Sequence, residues 1–330
     1  MELAQQRAVA AAHLQRACGA DARACAQGDH VVGLAACAKR APAPIQARRV
    51  RLVRVGFVVE ASQPVRVGHA GDYCPRDDRQ AHGDAARLAR FYDEAYSQEE
   101  DAARLYGRWR ALGARGKADH VIALCARAGL SPASTLEVGC GDGALLCELH
   151  RRSFGGRLSG AEISAAAVAL ARARREIEAV ALYDGRRLPL PARAHDLGLL
   201  SHVLEHAPDP AALLAEVARD CRAVLVEVPL EANLSARRAG KREQSGEIGH
   251  LRRLDRAAAR RIVAEAGLSI ACELDDPLPL AVHRFFATTR AARARAAVKW
   301  ALRSGIHRLA PSLARRLFTV HYASLCLPAA

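Results

Sequence analysis

Thr135-Leu136-Glu137-Val138-Gly139-Cys140-Gly141-Asp142-Gly143-Ala144-Leu145-Leu146 is the stretch from which the fold is read. A short apolar strand runs into a turn with glycine at every second position, and the turn opens a helix carrying Leu145, Leu146 and Leu149 at helical spacing. Without a Cβ, Gly139 and Gly141 let the chain bend tightly and let a ligand lie against main-chain N–H groups at a helix N-terminus. The stretch reads as a nucleotide-cofactor loop joining a strand to a helix.

The same residues satisfy the relaxed dinucleotide pattern G-x-G-x-x-A, so the loop alone leaves the cofactor open. Glu137 tilts the choice. It stands two residues before the first glycine, where a carboxylate favours a cationic or amine-bearing ligand and repels a pyrophosphate. In this E-x-G-x-G-x-G form the stretch resembles motif I of the class I S-adenosylmethionine-dependent methyltransferases. That resemblance implies S-adenosyl-L-methionine as cofactor, held at Glu137, Gly139, Cys140, Gly141 and Gly143.

Further acidic positions follow in order. Arg157 to Ser164 reads as a second strand and turn with Glu162 at its end, where a carboxylate accepts both hydroxyls of an adenosine ribose and Ile163 lies alongside. Glu162 can equally cap the helix expected over Ala165 to Arg174, and the two roles are compatible. A third strand, Ala179 to Tyr183, ends at Asp184-Gly185. The resemblance implies that Asp184 accepts from the adenine amino group, and a solvated Asp-Gly turn is the alternative.

The fourth strand, Asp196 to Ser201, leads into His202-Val203-Leu204-Glu205-His206-Ala207-Pro208-Asp209-Pro210. This segment is similar to methyltransferases of the ubiquinone and menaquinone biosynthesis type, which implies that Ser201 and His202 face the transferable methyl. His206 is the first candidate base for a substrate hydroxyl or enol, with His202 and His250 as second candidates. His202, Glu205, His206 and His250 also form the one metal set the sequence offers, and histidine in its first place would favour zinc over magnesium. A metal-free site is the expectation.

A fifth strand, Ala223 to Val228, precedes a long polar loop to His250 suited to substrate choice. A helix over Leu254 to Ala266, a sixth strand over Leu268 to Glu273 and a seventh over Val282 to Thr288 complete the expected order. Alternation of strand and helix argues for a Rossmann-like, doubly wound α/β sheet with helices on both faces. The resemblance adds that there are seven strands with the last antiparallel.

Phe91 to Tyr96 precedes an expected helix through Tyr106, Trp109 and Leu112, a second helix is expected over Lys117 to Ala128, and the Tyr92-Asp93-Glu94-Ala95-Tyr96 pattern resembles the N-terminal cap that closes over the cofactor in small-molecule methyltransferases. Packing on the sheet edge is the plainer alternative. The expected domain is therefore 91–288. Residues 1–90, with at most a strand near Val50 to Glu60, read as a poorly structured or misassigned extension. Residues 289–330 read as a basic helical extension broken near Pro311, able to contact an anionic membrane face peripherally.

The 330 residues carry a net charge of +14, but abundant Ala and Arg with a single Met point to codon bias, and base-stacking aromatics are sparse. A small-molecule substrate is expected and a nucleic-acid partner is not. Ten scattered cysteines without a C-x-x-C pair read as reduced thiols of a cytoplasmic protein. Two rival classes stay open. An NAD-dependent oxidoreductase would share the loop, although no Tyr-x-x-x-Lys follows the fourth or fifth strand. A non-catalytic partner subunit would keep the fold and lose the site. Oligomeric state is left undetermined.

Overall fold

In the computed structural model, which describes residues 78–329 apart from 98–99, 239, 242–244 and 246–247, the glycine turn follows strand β1 (Ser134–Val138), buried along its whole length. The other strands are β2 (Arg157–Glu162), β3 (Ala179–Leu182), β4 (His195–Ser201), β5 (Cys221–Pro229), β6 (Leu268–Asp276) and β7 (His321–Pro328). They form one sheet ordered β3-β2-β1-β4-β5-β7-β6. The first five strands run parallel, and β7 lies antiparallel between β5 and β6. The strand order reverses between β1 and β4, which opens a crevice at their carboxyl ends.

Side chains alternate between two cores. Leu136, Val138, Leu200, Val224 and Val226 pack with α5 (Pro210–Asp220) and α6 (Arg256–Glu265) on one face. Leu197, Leu199, Ala223 and Leu225 pack with α2 (Glu100–Arg127), α3 (Ala144–Arg151) and α4 (Ala165–Arg172) on the other. Each such leucine contributes about 1.5–3 kcal/mol by burial. Ser164, Asp209 and Asp255 cap α4, α5 and α6, each accepting from a backbone N–H of the first turn.

The two expected N-terminal helices differ from the observed ones. Helix α1 is Asp78–Tyr96, so the boundary expected between Arg90 and Phe91 falls inside it. Helix α2 runs unbroken through Gly113 and Gly116. Each glycine costs about 1 kcal/mol of helix propensity, but Ala114, Ala118, Val121 and Leu124 are buried against the sheet and hold the helix together. The strand expected near Val50 to Glu60 lies outside the described residues.

The seventh strand is the main correction. Val282 to Thr288 is not a strand: Leu280–Arg284 forms the short helix α7, and Phe285 and Phe286 turn onto the Trp109 ring with centroids 5.1 and 5.2 Å away. The chain continues through α8 (Arg290–Leu309) and α9 (Pro311–Leu317) before His321–Pro328 enters the sheet. The middle of that strand, Tyr322 to Cys326, is therefore core, with Tyr322, Ala323, Leu325 and Cys326 fully buried. Among the described residues no helix is long and apolar enough to cross a membrane.

Candidate functional site

The crevice is floored by the glycine loop and roofed by α1. Gly139 and Gly141 hold φ values of 73° and 55°, a left-handed backbone that residues with a Cβ rarely adopt. A Cβ on Gly139 would stand 2.6 Å from Val203 Cγ2, and one on Gly141 would run into the Tyr96 hydroxyl. The Glu162 carboxylate, buried at the end of β2, accepts from Gly141 N at 2.8 Å, from Ile163 N at 2.7 Å and from Ser164 N at 3.1 Å. Burial pushes its pKa up, and these three N–H groups offset part of the rise.

Glu137 is 3 % exposed, and its Oε2 has no hydrogen-bond partner. Burial pushes its pKa up to about 8, against the pull of Lys117. Burial without a partner favours the neutral carboxyl, and a cation placed against it would restore the charged form. Asp184 Oδ1 accepts from Arg186 N at 2.9 Å and Arg187 N at 2.8 Å, the geometry of the turn reading. Gly185, at φ 81°, lies under Ala85 of α1. Cys140 is buried with its sulfur against Gly160, and burial raises its thiol pKa far above the ordinary value.

The cap is tied down by polar contacts. Asp93 Oδ1 accepts from Ser164 Oγ at 2.7 Å and from Ala166 N at 3.1 Å. Tyr92 Oη lies 3.3 Å from His206 Nδ1, and the Arg110 guanidinium, 2.8 Å from Asp142 Oδ2, stacks 4.9 Å over the Tyr96 ring.

Beyond β4 and β5 lies a buried histidine and carboxylate network. His206 Nδ1 is 3.0 Å from the Gly249 carbonyl, which can only accept, so the proton sits on Nδ1 and Nε2 carries a lone pair. Burial lowers the His206 pKa to about 4 despite Glu205 beside it. His250 Nδ1 is 2.8 Å from Glu231 Oε2, and the His206 and His250 rings meet edge to face at 4.7 Å. Burial would raise Glu205, but His202, His206 and His250 hold it down to about 2.

His202 faces two ways: its Nδ1 is 3.2 Å from Glu205 Oε1, within the expected set, and its other nitrogen points out of it. Its φ is 61°, and its Nε2 turns to His321 Nδ1, 3.2 Å away, and to Glu227 Oε1 at 3.5 Å. Ser201 Oγ likewise bonds Glu227 Oε2, at 3.4 Å. Behind Glu227, His120 Nδ1 is 3.4 Å from its Oε2, and His120 Nε2 is 3.0 Å from Asp276 Oδ2. Desolvation lowers the His120 pKa, but Asp276 and Glu227 override it and bring the ring up to about 10. Among the described residues, potential metal donors thus fall into two groups, His202 with Glu227 and His321, and Glu205 with His206 and His250.

Residues 136–223 match the family model described as a methyltransferase domain. That segment is a methyltransferase domain by sequence match, and the sheet around it has the fold of the class I S-adenosylmethionine-dependent methyltransferases. Its fold is that of geranyl diphosphate C-methyltransferase from Streptomyces coelicolor, a structure holding Mg2+, geranyl diphosphate and S-adenosyl-L-homocysteine: 14 % identity over 74 % of this chain and 98 % of that one, at a TM-score of 0.52. A possible histamine N-methyltransferase from Thermotoga maritima aligns at 13 % identity over 73 % and 99 % of the two chains, TM-score 0.48. A methyltransferase of Haloferax volcanii, complexed with its Trm112 activator, aligns at 20 % identity over 60 % and 82 %, TM-score 0.41. No curated protein matches the chain.

Within the methyltransferase domain, Glu137, Gly139, Gly141, Gly143, Glu162, Ile163, Asp184 and Gly185 gather around the carboxyl ends of β1, β2 and β3. Ser201 and His202 stand at the end of β4 but lean toward β5 and β7. Sequence reasoning missed His120 and His321, which no motif contains. Their only signal is topological, since α2 and β7 reach Glu227 from opposite ends of the chain.

Proposed function

We propose that this chain is an enzyme that transfers a methyl group from S-adenosyl-L-methionine to a nucleophile of a small-molecule acceptor. One observation carries the reading: the buried Glu162 carboxylate is bonded to the N–H of Gly141, beneath a cap helix anchored on the same turn by Asp93. The partnerless Glu137 oxygen supports a cofactor with an amine at the loop. Held at Glu137, Gly139, Gly141 and Glu162, the cofactor would supply an electrophilic methyl on sulfonium, with a neutral thioether as its leaving group.

The chain's own part is positioning, exclusion of water and, for a hydroxyl nucleophile, removal of a proton. His206 is suited to that last task because its Nδ1 proton is held by the Gly249 carbonyl and its Nε2 is left to accept. Tyr92 and Tyr96 of the cap close the crevice from above. The test is calorimetric titration of the full chain with S-adenosylhomocysteine and with NAD. Micromolar binding of the first alone is expected, whereas binding of NAD alone would overturn the reading.

The partner surface proposed is an anionic membrane face at α8. Val298, Leu302 and Leu309 are 71, 64 and 87 % exposed and share one helical face, next to the exposed Arg295. Sedimentation with phosphatidylglycerol vesicles but not phosphatidylcholine vesicles is expected. Sedimentation with neither rules the surface out.

A further inference from the structure

The His202, Glu227 and His321 side chains converge from three separate elements, the turn after β4, β5 and the start of β7. Their facing atoms form a nearly equilateral triangle: Nε2 to Nδ1 3.2 Å, Nδ1 to Oε1 3.2 Å and Nε2 to Oε1 3.5 Å. Ligands around a four-coordinate zinc ion stand about 3.3 Å apart, and a cation about 2 Å from all three atoms would sit just above their plane.

The surroundings match those of a metal centre. A ligating histidine usually turns its second ring nitrogen to a carboxylate, and His202 Nδ1 lies 3.2 Å from Glu205 Oε1. With its proton on Nδ1, on the side of Glu205, His202 would present an Nε2 lone pair to another ring nitrogen and another carboxylate oxygen. Three electron-rich atoms in that arrangement require a cation or a proton between them. The far oxygen of Glu227 is supported in turn by Ser201 and by the His120 and Asp276 pair. Glu227 keeps 1 % of its side-chain surface, while His202 and His321 keep 23 and 17 %, so the triangle is closed behind and open on its histidine side.

We propose that His202, Glu227 and His321 bind a divalent transition-metal ion of the zinc class, beside the acceptor end of the crevice. The set offers two imidazoles and one carboxylate, the donor mix of zinc sites that keep a position open. It differs from the Glu205, His206 and His250 group, which leaves His206 Nε2 available for proton transfer. In this arrangement His202 is a ligand and not a base.

The experiment is zinc titration of the chelator-treated full chain, followed calorimetrically and by the visible absorption of the cobalt-substituted protein. One ion per chain is expected. His321→Gln should lower the affinity about a hundredfold or more, while His250→Gln binds as the parent does. Binding of S-adenosylhomocysteine by each variant reports its folding independently of the metal, and also separates failure of the metal site from failure of the methyltransferase reading. If His321→Gln does not fold, diethylpyrocarbonate labelling of the unmodified chain serves instead, with zinc expected to shield His202 and His321. No zinc binding, loss of binding in His250→Gln, or shielding confined to His206 and His250 would each overturn the assignment.

Discussion

Asp93 Oδ1 accepts the Ser164 hydroxyl at 2.7 Å, which fastens the cap helix to the turn that also carries Glu162. The Ser164 hydroxyl and the Ala166 N–H hold the Asp93 carboxyl below its usual range. Asp93→Ala removes a charged anchor of the kind that contributes about 1.5 kcal/mol, so affinity for S-adenosylhomocysteine should fall about tenfold. Limited proteolysis should cut α1 faster in the variant. Unchanged affinity and unchanged cleavage would mean that α1 is held by its apolar contacts alone.

Glu162→Ala should weaken S-adenosylhomocysteine by about 1–3 kcal/mol, the range for charge-assisted bonds to a ligand hydroxyl. The same change frees three backbone N–H groups, so melting temperature has to be followed in parallel. A lower melting temperature with intact binding would leave Glu162 a structural cap of the loop and nothing more.

Gly141→Ala should lower cofactor affinity by two separable routes. The new methyl meets the Tyr96 hydroxyl, and the left-handed backbone itself costs about 1 kcal/mol with a Cβ present. Adding Tyr96→Ala should restore only the part due to the clash. A double variant no better than Gly141→Ala would place the whole cost in the backbone.

Much of this crevice was legible because a glycine loop, a carboxylate at the end of the next strand and a histidine pair after the fourth are local signals in a fixed order. The sheet from β1 to β6 was legible for the same reason, since each strand neighbours its helix in sequence. What lay hidden depends on distance along the chain. His120, Glu227 and His321 meet only after α2 and β7 have packed on β5, and no window of sequence holds two of them. Val282 to Thr288 carries the aromatic and β-branched residues of a strand, but its two phenylalanines are used on Trp109 instead.

Acid should destabilise the sheet through Glu273. Burial pushes this carboxyl up, but Arg260, Tyr322 and Arg256 hold it down to about 2. The Tyr322 hydroxyl donates at 2.6 Å and the Arg260 Nε at 3.1 Å, with Arg256 alongside. A folded pKa below the unfolded value of about 4.3 means that the stabilisation is complete above that pH and is lost as the pH falls toward 2. Glu273→Gln should cost about 1.5–3 kcal/mol at neutral pH and flatten the acid limb of the stability profile. Denaturant midpoints from pH 7 to pH 3 measure both, and parallel curves for parent and variant would remove Glu273 from the acid response.

Removal of residues 318–330 should abolish cooperative folding, although that segment reads from sequence as the end of a basic extension. Strand β7 is paired on both sides, with β5 through Val224 to Pro229 and with β6 through Leu268 to Asp276. Without it β6 has no partner in the sheet, and the β5 edge exposes a row of unpaired backbone groups. Tyr322, Leu325 and Cys326 are fully buried, and losing one large apolar side chain from such a core already costs about 2–5 kcal/mol. Several such losses exceed the stability of an ordinary domain, about 5–15 kcal/mol. The truncated chain should therefore show no thermal transition and no binding of S-adenosylhomocysteine. A chain ending at 317 that still melts cooperatively would show that β1 to β5 and their helices fold without the antiparallel pair.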